Sequence, residues 1–217
     1  MPPHPLDVRW LGRVPYREAW ELQRRLFEER AHGAVGDTLL LMEHPPTITL
    51  GRSAKREHVL AGPEDLARRG VEVVEIDRGG DVTFHGPGQL VGYPILDLSP
   101  LMPDVQKYVR ALEEVMLRVS AGCGVPAGRV PGMSGIWSGD AKIGAIGVKV
   151  KQWITMHGFA LNVNAELAGF GLIVPCGLAG KSVTSLHLLA GHPLDAEEVR
   201  TMTVSAFAEV FGLSTRR

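Results

Sequence analysis

Residues 135–150 read GIWSGDAKIGAIGVKV, and residues 154–164 continue as ITMHGFALNVN. The turn and strand pattern of this stretch sets the fold class. Gly139-Asp140 is a turn dipeptide set between two runs rich in isoleucine, valine and tryptophan, the pattern of a β-hairpin. The second segment supplies a further strand directly after it. Consecutive strands joined by tight turns pair antiparallel, whereas parallel strands need long crossovers. A chain of alternating βαβ units is therefore disfavoured, and the spacing predicts an α/β domain with mixed, largely antiparallel sheets and flanking helices.

Residues 103–121 form a strong amphipathic pattern with Val105, Val109, Leu112, Val115, Met116 and Val119 on one side. Residues 15–31 predict a second helix, opened by Pro15 and apolar at Ala19, Leu22, Leu26 and Phe27. A third begins after Asp195, an N-cap with Glu198 three residues on, and is expected to bury Val199, Met202, Ala206, Phe207 and Val210. The segments TLLLMEH (38–44) and PTITLG (46–51) predict two strands broken at Pro45-Pro46. A short helix PEDLARRG (63–70), closed by Gly70, leads into the strand VEVVEID (71–77). DVTFH (81–85) and QLVGYPILDL (89–98) are strands on either side of a glycine-rich connection. Residues IVPCGLAGKS (173–182) read as a loop.

The 217 residues suit one domain spanning 1–217, with 45% hydrophobic and 22% charged residues, the balance of a globular core. No apolar run reaches the roughly 18 residues of a membrane span. The opening MPPHPLDVRW lacks a basic segment followed by an apolar one, so no signal peptide is expected. Two cysteines fit a reducing cytoplasm better than a disulfide framework. A net charge of −1 argues against a nucleic-acid partner. Seventeen arginines stand against six lysines, so each lysine invites a question.

Several motifs fail on inspection. PCGLAGKS would be a phosphate-binding loop but for Pro175, where the pattern demands glycine. GMSGI lacks the second glycine of a serine nucleophile elbow because Ile136 stands there. Eight histidines occur without zinc-ligand spacing, so no metal is expected.

RGGDVTFHGPGQL (78–90) crowds four glycines around Arg78, His85 and Gln89, as where backbone approaches a ligand. Each residue also has an ordinary reading: His85 as a core histidine, Arg78 as part of a turn. Cys176 is either a small buried hydrophobe or, in its Pro-Cys-Gly loop, a reachable thiol whose oxyanion the Gly177 N–H would face. Lys142 is either a solvated strand end or a cation poised over a strand of glycines, able to lower a thiol's pKa. A lysine–cysteine pair makes a base and a nucleophile. Cys123, at a helix end, reads as a buried thiol.

RGGDVTFHGPGQLVGYPILDL, AKIGAIGVKV, HGFALNVN and PCGLAGKSVTSL together resemble, in order and spacing, the lipoyl(octanoyl) transferase family of lipoate biosynthesis. The resemblance runs from about residue 6 to residue 212. It implies a fold like the catalytic domain of biotin and lipoate protein ligases. It also implies an enzyme that moves an octanoyl group from acyl carrier protein to a lysine of a lipoyl domain. Position by position, it puts the nucleophile on Cys176 and the lysine that lowers its pKa on Lys142. Substrate-binding segments fall on Arg78, Gly79, Gly80, Asp81, Val82, Thr83, Phe84 and His85; on Ala145, Ile146 and Gly147; and on Gly158, Phe159 and Ala160. Ile143, Ile146, Val148 and Phe159 are expected to wall the acyl chain.

The expected protein is a cytoplasmic monomer that needs no cofactor. Its donor would be octanoyl-acyl carrier protein, and its acceptors the lipoyl domains of 2-oxoacid dehydrogenase E2 subunits and the glycine cleavage H protein. The rivals are an ATP-dependent lipoate or biotin protein ligase of the same fold, a thioester hydrolase, and a non-catalytic binder.

Overall fold

The computed structural model describes residues 4–174 and 181–215. The chain opens with β1 (His4–Arg13), α1 (Tyr16–Ala31), β2 (Asp37–Glu43) and β3 (Thr47–Leu50). It continues through α2 (Pro63–Arg68), β4 (Glu72–Glu75), β5 (Val82–His85), β6 (Gln89–Ile95), α3 (Leu98–Leu101) and α4 (Val105–Gly122). Then come β7 (Gly128–Val130), β8 (Met133–Ser138), β9 (Ala141–Lys151) and β10 (Ile154–Asn162). After the undescribed residues 175–180 follow β11 (Ser182–Val183), α5 (Leu186–Ala190), α6 (Ala196–Phe211) and β12 (Leu213–Thr215).

The main sheet runs in the order β12-β1-β2-β6-β10-β9-β8-β7, with β11 beside the start of β9. Pairing is antiparallel from β2 to β7 and parallel at β12-β1-β2 and β9-β11. A second sheet, β4-β3-β5, lies apart from it. The mixed, mainly antiparallel arrangement agrees with the expectation from the hairpin. β1, β7, β11 and β12 have too little periodicity to be read from their own residues.

Burial explains the patterns. In β2, Leu39 and Leu41 enter one core, while Leu40 and Met42 enter another. Its continuous apolar run is that of a strand covered on both faces. α4 and α6 cover the first face and α1 the second. Pro45 and Pro46 then carry the chain out of the main sheet into β3.

Asp104 caps α4 by accepting from the Gln106 and Lys107 amides, and Asp195 caps α6 through Glu197 and Glu198. The buried stripe of α4 is Tyr108, Leu112, Val115, Met116 and Val119; Val105, expected there, is exposed. In α6, Thr203 and Phe211 take the buried positions expected for Met202 and Val210. α1 buries Gln23 within its apolar stripe, a polar choice that the site explains.

Candidate active site

A cavity of about 240 Å³ lies where β5 and the segment before it pass over β9, β10 and β6. Its wall includes Arg78, Gly80, Asp81, Val82, Thr83 and His85 from one side. Lys142 to Gly147 and His157 to Ala160 close the other. Three of the sequence-predicted segments therefore meet at one place. Gly79 and Phe84 stand behind the wall. Gly79 donates its N–H to the Val148 carbonyl (2.9 Å), tying the segment before β5 to β9. Strand alternation turns Phe84 away from its neighbours Thr83 and His85 and into a third core, edge-on to Phe170.

The polar wall is a connected set of hydrogen bonds. Arg78 is buried and donates to the Thr49 carbonyl (3.0 Å), the Thr49 Oγ1 (2.9 Å) and the Gly79 carbonyl (3.0 Å). Gln89 Nε2 donates to the Phe84 carbonyl (3.2 Å) and Asn162 Oδ1 (2.9 Å), which turns its Oε1 toward His85. His85 must therefore donate from Nδ1 (2.7 Å), leaving Nε2 as an acceptor that faces the Thr49 hydroxyl at 3.5 Å. Burial and the neighbouring His44 push His85 down to about 3, so the imidazole is neutral. His44 donates from Nδ1 to the Val14 carbonyl (2.7 Å) and accepts from the Tyr93 hydroxyl (2.8 Å). Burial holds it at about 4.

His157 sits in the left-handed region at φ 56, a conformation a non-glycine residue adopts only under constraint. Gln23 supplies part of that constraint, its Oε1 accepting from the His157 N–H at 2.8 Å. The His157 ring bonds through Nε2 to Asp77 Oδ1 (2.8 Å), and Lys149 bonds the other oxygen of Asp77. These two partners, His157 foremost, hold the Asp77 carboxyl well below the usual range. Burial lowers the His157 pKa against the pull of Asp77. Asp81 accepts from His58 (2.6 Å) and from the Val82 N–H (2.8 Å).

Glycine inside a strand suggests room for a ligand, but two glycines of β9 make room for the protein's own side chains. A Cβ on Gly144 would lie 2.7 Å from Met116 Sδ of α4. One on Gly147 would lie 2.7 Å from Arg78 Cδ and 3.1 Å from the Gly79 carbonyl oxygen. Gly158 backs onto the Gly92 carbonyl.

Lys142 lines the cavity near the turn of the hairpin, its Nζ 4.6 Å from the Trp137 ring centroid. Cys176 lies outside the described residues. The chain before that segment is fastened at Val174, whose N–H donates to the His58 carbonyl (2.7 Å). The chain after it pairs through Val183 with Lys142.

Tyr16, Tyr93, His157 and Asn162 also line the cavity, and sequence reasoning passed over them. Tyr16 looks like the first residue of an ordinary amphipathic stripe. His157 and Asn162 did carry a signal: they are polar residues in a strand whose other positions are buried on both faces.

Comparison with known proteins bears on family and fold. The family model for the lipoyl protein ligase A/B catalytic domain matches residues 15–208. A relative from Chloroflexus aurantiacus named octanoyltransferase is 53% identical over 214 residues, covering 97% of this chain and 96% of its own. A lipoate protein ligase from Thermoplasma acidophilum, solved with bound lipoic acid, is 14% identical with a TM-score of 0.75, over 97% of this chain and 87% of that one. The biotin protein ligase from Aquifex aeolicus, solved with biotin and ATP, is 15% identical with a TM-score of 0.57, over 95% and 70%. At these identities the two solved structures speak to the fold.

Proposed function

Given that the chain belongs to the lipoyl protein ligase A/B catalytic-domain family, we propose that it transfers an octanoyl group through a thioester on Cys176, with Lys142 as the partner base. Octanoyl transfer in lipoate biosynthesis is its activity, and its acceptors are lipoyl-domain proteins. The donor is octanoyl-acyl carrier protein. The acceptors are the lipoyl domains of 2-oxoacid dehydrogenase E2 subunits and of the glycine cleavage H protein. The enzyme works as a monomer in the cytoplasm, a reducing compartment that suits a chain with two cysteines.

Lys142 takes the proton from the Cys176 thiol, and the thiolate attacks the carbonyl carbon of the donor thioester. The bond to the donor sulfur breaks, and the donor thiol leaves with the proton from Lys142. The lysine amine of the lipoyl domain then attacks the Cys176 thioester. Its proton passes by way of Lys142 to the departing cysteine sulfur, and an amide remains. Thioester exchange is nearly isoergic and the amide lies downhill, so the sequence needs no ATP.

Arg78 to His85, Ala145 to Gly147 and Gly158 to Ala160 hold the acyl chain, directly or by shaping the wall. Burying the seven carbons beyond the carbonyl at about 0.8 kcal/mol each offers up to about 6 kcal/mol of binding. The observation that carries this reading is the shared strand. Lys142 stands on β9, whose next residues form the cavity wall, and the chain re-enters beside Lys142 directly after the cysteine segment.

Incubation with octanoyl-carrier and an apo-lipoyl domain, without ATP, tests it by product mass. Octanoylated lysine is expected. A requirement for ATP, free octanoate as product, or no turnover would each overturn the reading.

A further inference from the structure

The β8–β9 hairpin is irregular next to Lys142. Ile136 faces Gly144 while Trp137 faces Lys142, so Ile143 is an extra residue on β9 and forms a β-bulge. Bulges re-aim neighbouring side chains, and here Lys142 lies against an aromatic face. Its Nζ is 4.6 Å from the centroid of Trp137, within the range where an ammonium is attracted to a ring. The indole is 2% exposed, so little water screens that attraction. Its Nε1 has no hydrogen-bond partner among the described residues, although buried indole N–H groups usually find one. The residue is placed for its ring face and not for its polar edge. Lys181, the first described residue after the cysteine segment, brings its Nζ to 6.0 Å from the same ring and pairs with Asp140.

We propose that Trp137 is a positioning residue for octanoyl transfer. Its ring face holds the Lys142 side chain at the cavity and favours the ammonium form, which in turn stabilises the Cys176 thiolate. This rests on the Lys142–Cys176 reading above. Among the described residues, Lys181, Asp140, Glu113 and His187 stand on the neighbouring elements, and Arg78, Asp81, His85 and His157 line the same cavity. Lys181 opposes the Lys142 ammonium, and Asp140 offsets it. Glu113 of α4 is occupied by Arg110, Arg129 and the Gly135 N–H. His187 of α5 is held by Ser185 and the Val163 carbonyl.

Alkylation of the full-length protein by iodoacetamide, followed peptide by peptide across about pH 5 to 10, reads the Cys176 midpoint directly. Lys142→Met should raise that midpoint. Trp137→Leu, which keeps an apolar neighbour but removes the ring, should raise it by about half to one pH unit. Trp137→Phe should give a smaller shift in the same direction. In the Lys142→Met background, Trp137→Leu should add nothing, because the ring acts through the lysine. If Trp137→Leu fails to fold, Trp137→Phe alone carries the test. Trp137 variants that lose turnover or melting temperature with the midpoint unmoved would overturn the proposal, provided Lys142→Met moves it. A midpoint indifferent to Lys142→Met would overturn the underlying pairing, and the role of Trp137 with it.

Discussion

Arg78 occupies the space that a side chain at position 147 would need. The guanidinium arm lies across the bare Cα of Gly147, with Cδ 2.7 Å from where a Cβ would stand. Two motifs nearly seventy residues apart thus form one unit, the glycine of β9 serving as the seat for the arginine of the other. Arg78 cannot easily yield, because three acceptors at Thr49 and Gly79 hold it.

Gly147→Ala should therefore displace Arg78 before it obstructs any acyl chain. Overpacking of this kind costs about 1 to 3 kcal/mol, read as a lower denaturant midpoint. Octanoyl transfer should fall at least about tenfold, the effect of losing roughly 1.4 kcal/mol at the transition state. Alkylation of Cys176 by a small reagent should keep its wild-type rate. Full activity in Gly147→Ala would show that Arg78 is not needed in this pose.

The two cysteines should separate cleanly. Burial and the Glu198 carboxylate push the Cys123 thiol up, making it the poorer nucleophile near pH 7. Octanoyl-carrier given without acceptor should leave an octanoyl adduct on Cys176 in the Cys123→Ser protein and none in Cys176→Ser. An adduct on Cys123 by peptide mapping would refute the assignment of the nucleophile.

Lys142→Arg separates charge from proton transfer. Arginine keeps the cation and stacks well on an indole, but it holds its proton at any working pH. The Cys176 alkylation midpoint should stay low while turnover falls about as far as in Lys142→Ala. Retention of most activity would mean that the proton travels by another group. His85 is poorly suited to that task, since its pKa of about 3 makes it a weak base and its Nδ1 is committed to Gln89.

The sequence made some of this legible and hid the rest for physical reasons. The α4 and α6 helices carry their own Asp caps and all three long helices carry their periodicity, so local residues announce them. The β8–β9 hairpin announces itself through Gly139, which takes the positive φ its turn requires. The glycines of β9 could be recognised as unusual from their place in a strand. What they meet could not, because Met116 and Arg78 arrive from distant parts of the chain. Gln23 is similar: inside an amphipathic helix it looks like a misplaced polar residue until the His157 amide is found against it. β1 and β12, by contrast, exist through pairing with their neighbours and left little local trace.

The buried histidines should make the fold acid-sensitive in a defined window. In the folded protein His44 titrates at about 4 and His85 at about 3, both lowered chiefly by burial. In the unfolded chain each returns to roughly 6.5. Between those values the unfolded state binds protons that the folded state refuses, so stability falls as pH falls. Each histidine contributes full stability above about pH 6.5 and loses about 1.4 kcal/mol per pH unit below it, until its folded pKa is reached. His157, also lowered by burial, acts in the same direction. Asp77 reinforces the trend at lower pH: its depressed pKa gives stability that is present above about pH 4 and lost as pH falls further. Urea unfolding should therefore give nearly constant free energies from about pH 8 to 7 and a steep fall from about pH 6 to 5. His85→Asn, which offers its own N–H in place of the imidazole donor, should flatten that fall by close to one proton whatever it does to absolute stability. His44→Asn should do the same. If neither variant changes the slope, these imidazoles are charged inside the fold, and the cavity wall is not a neutral hydrogen-bonded network.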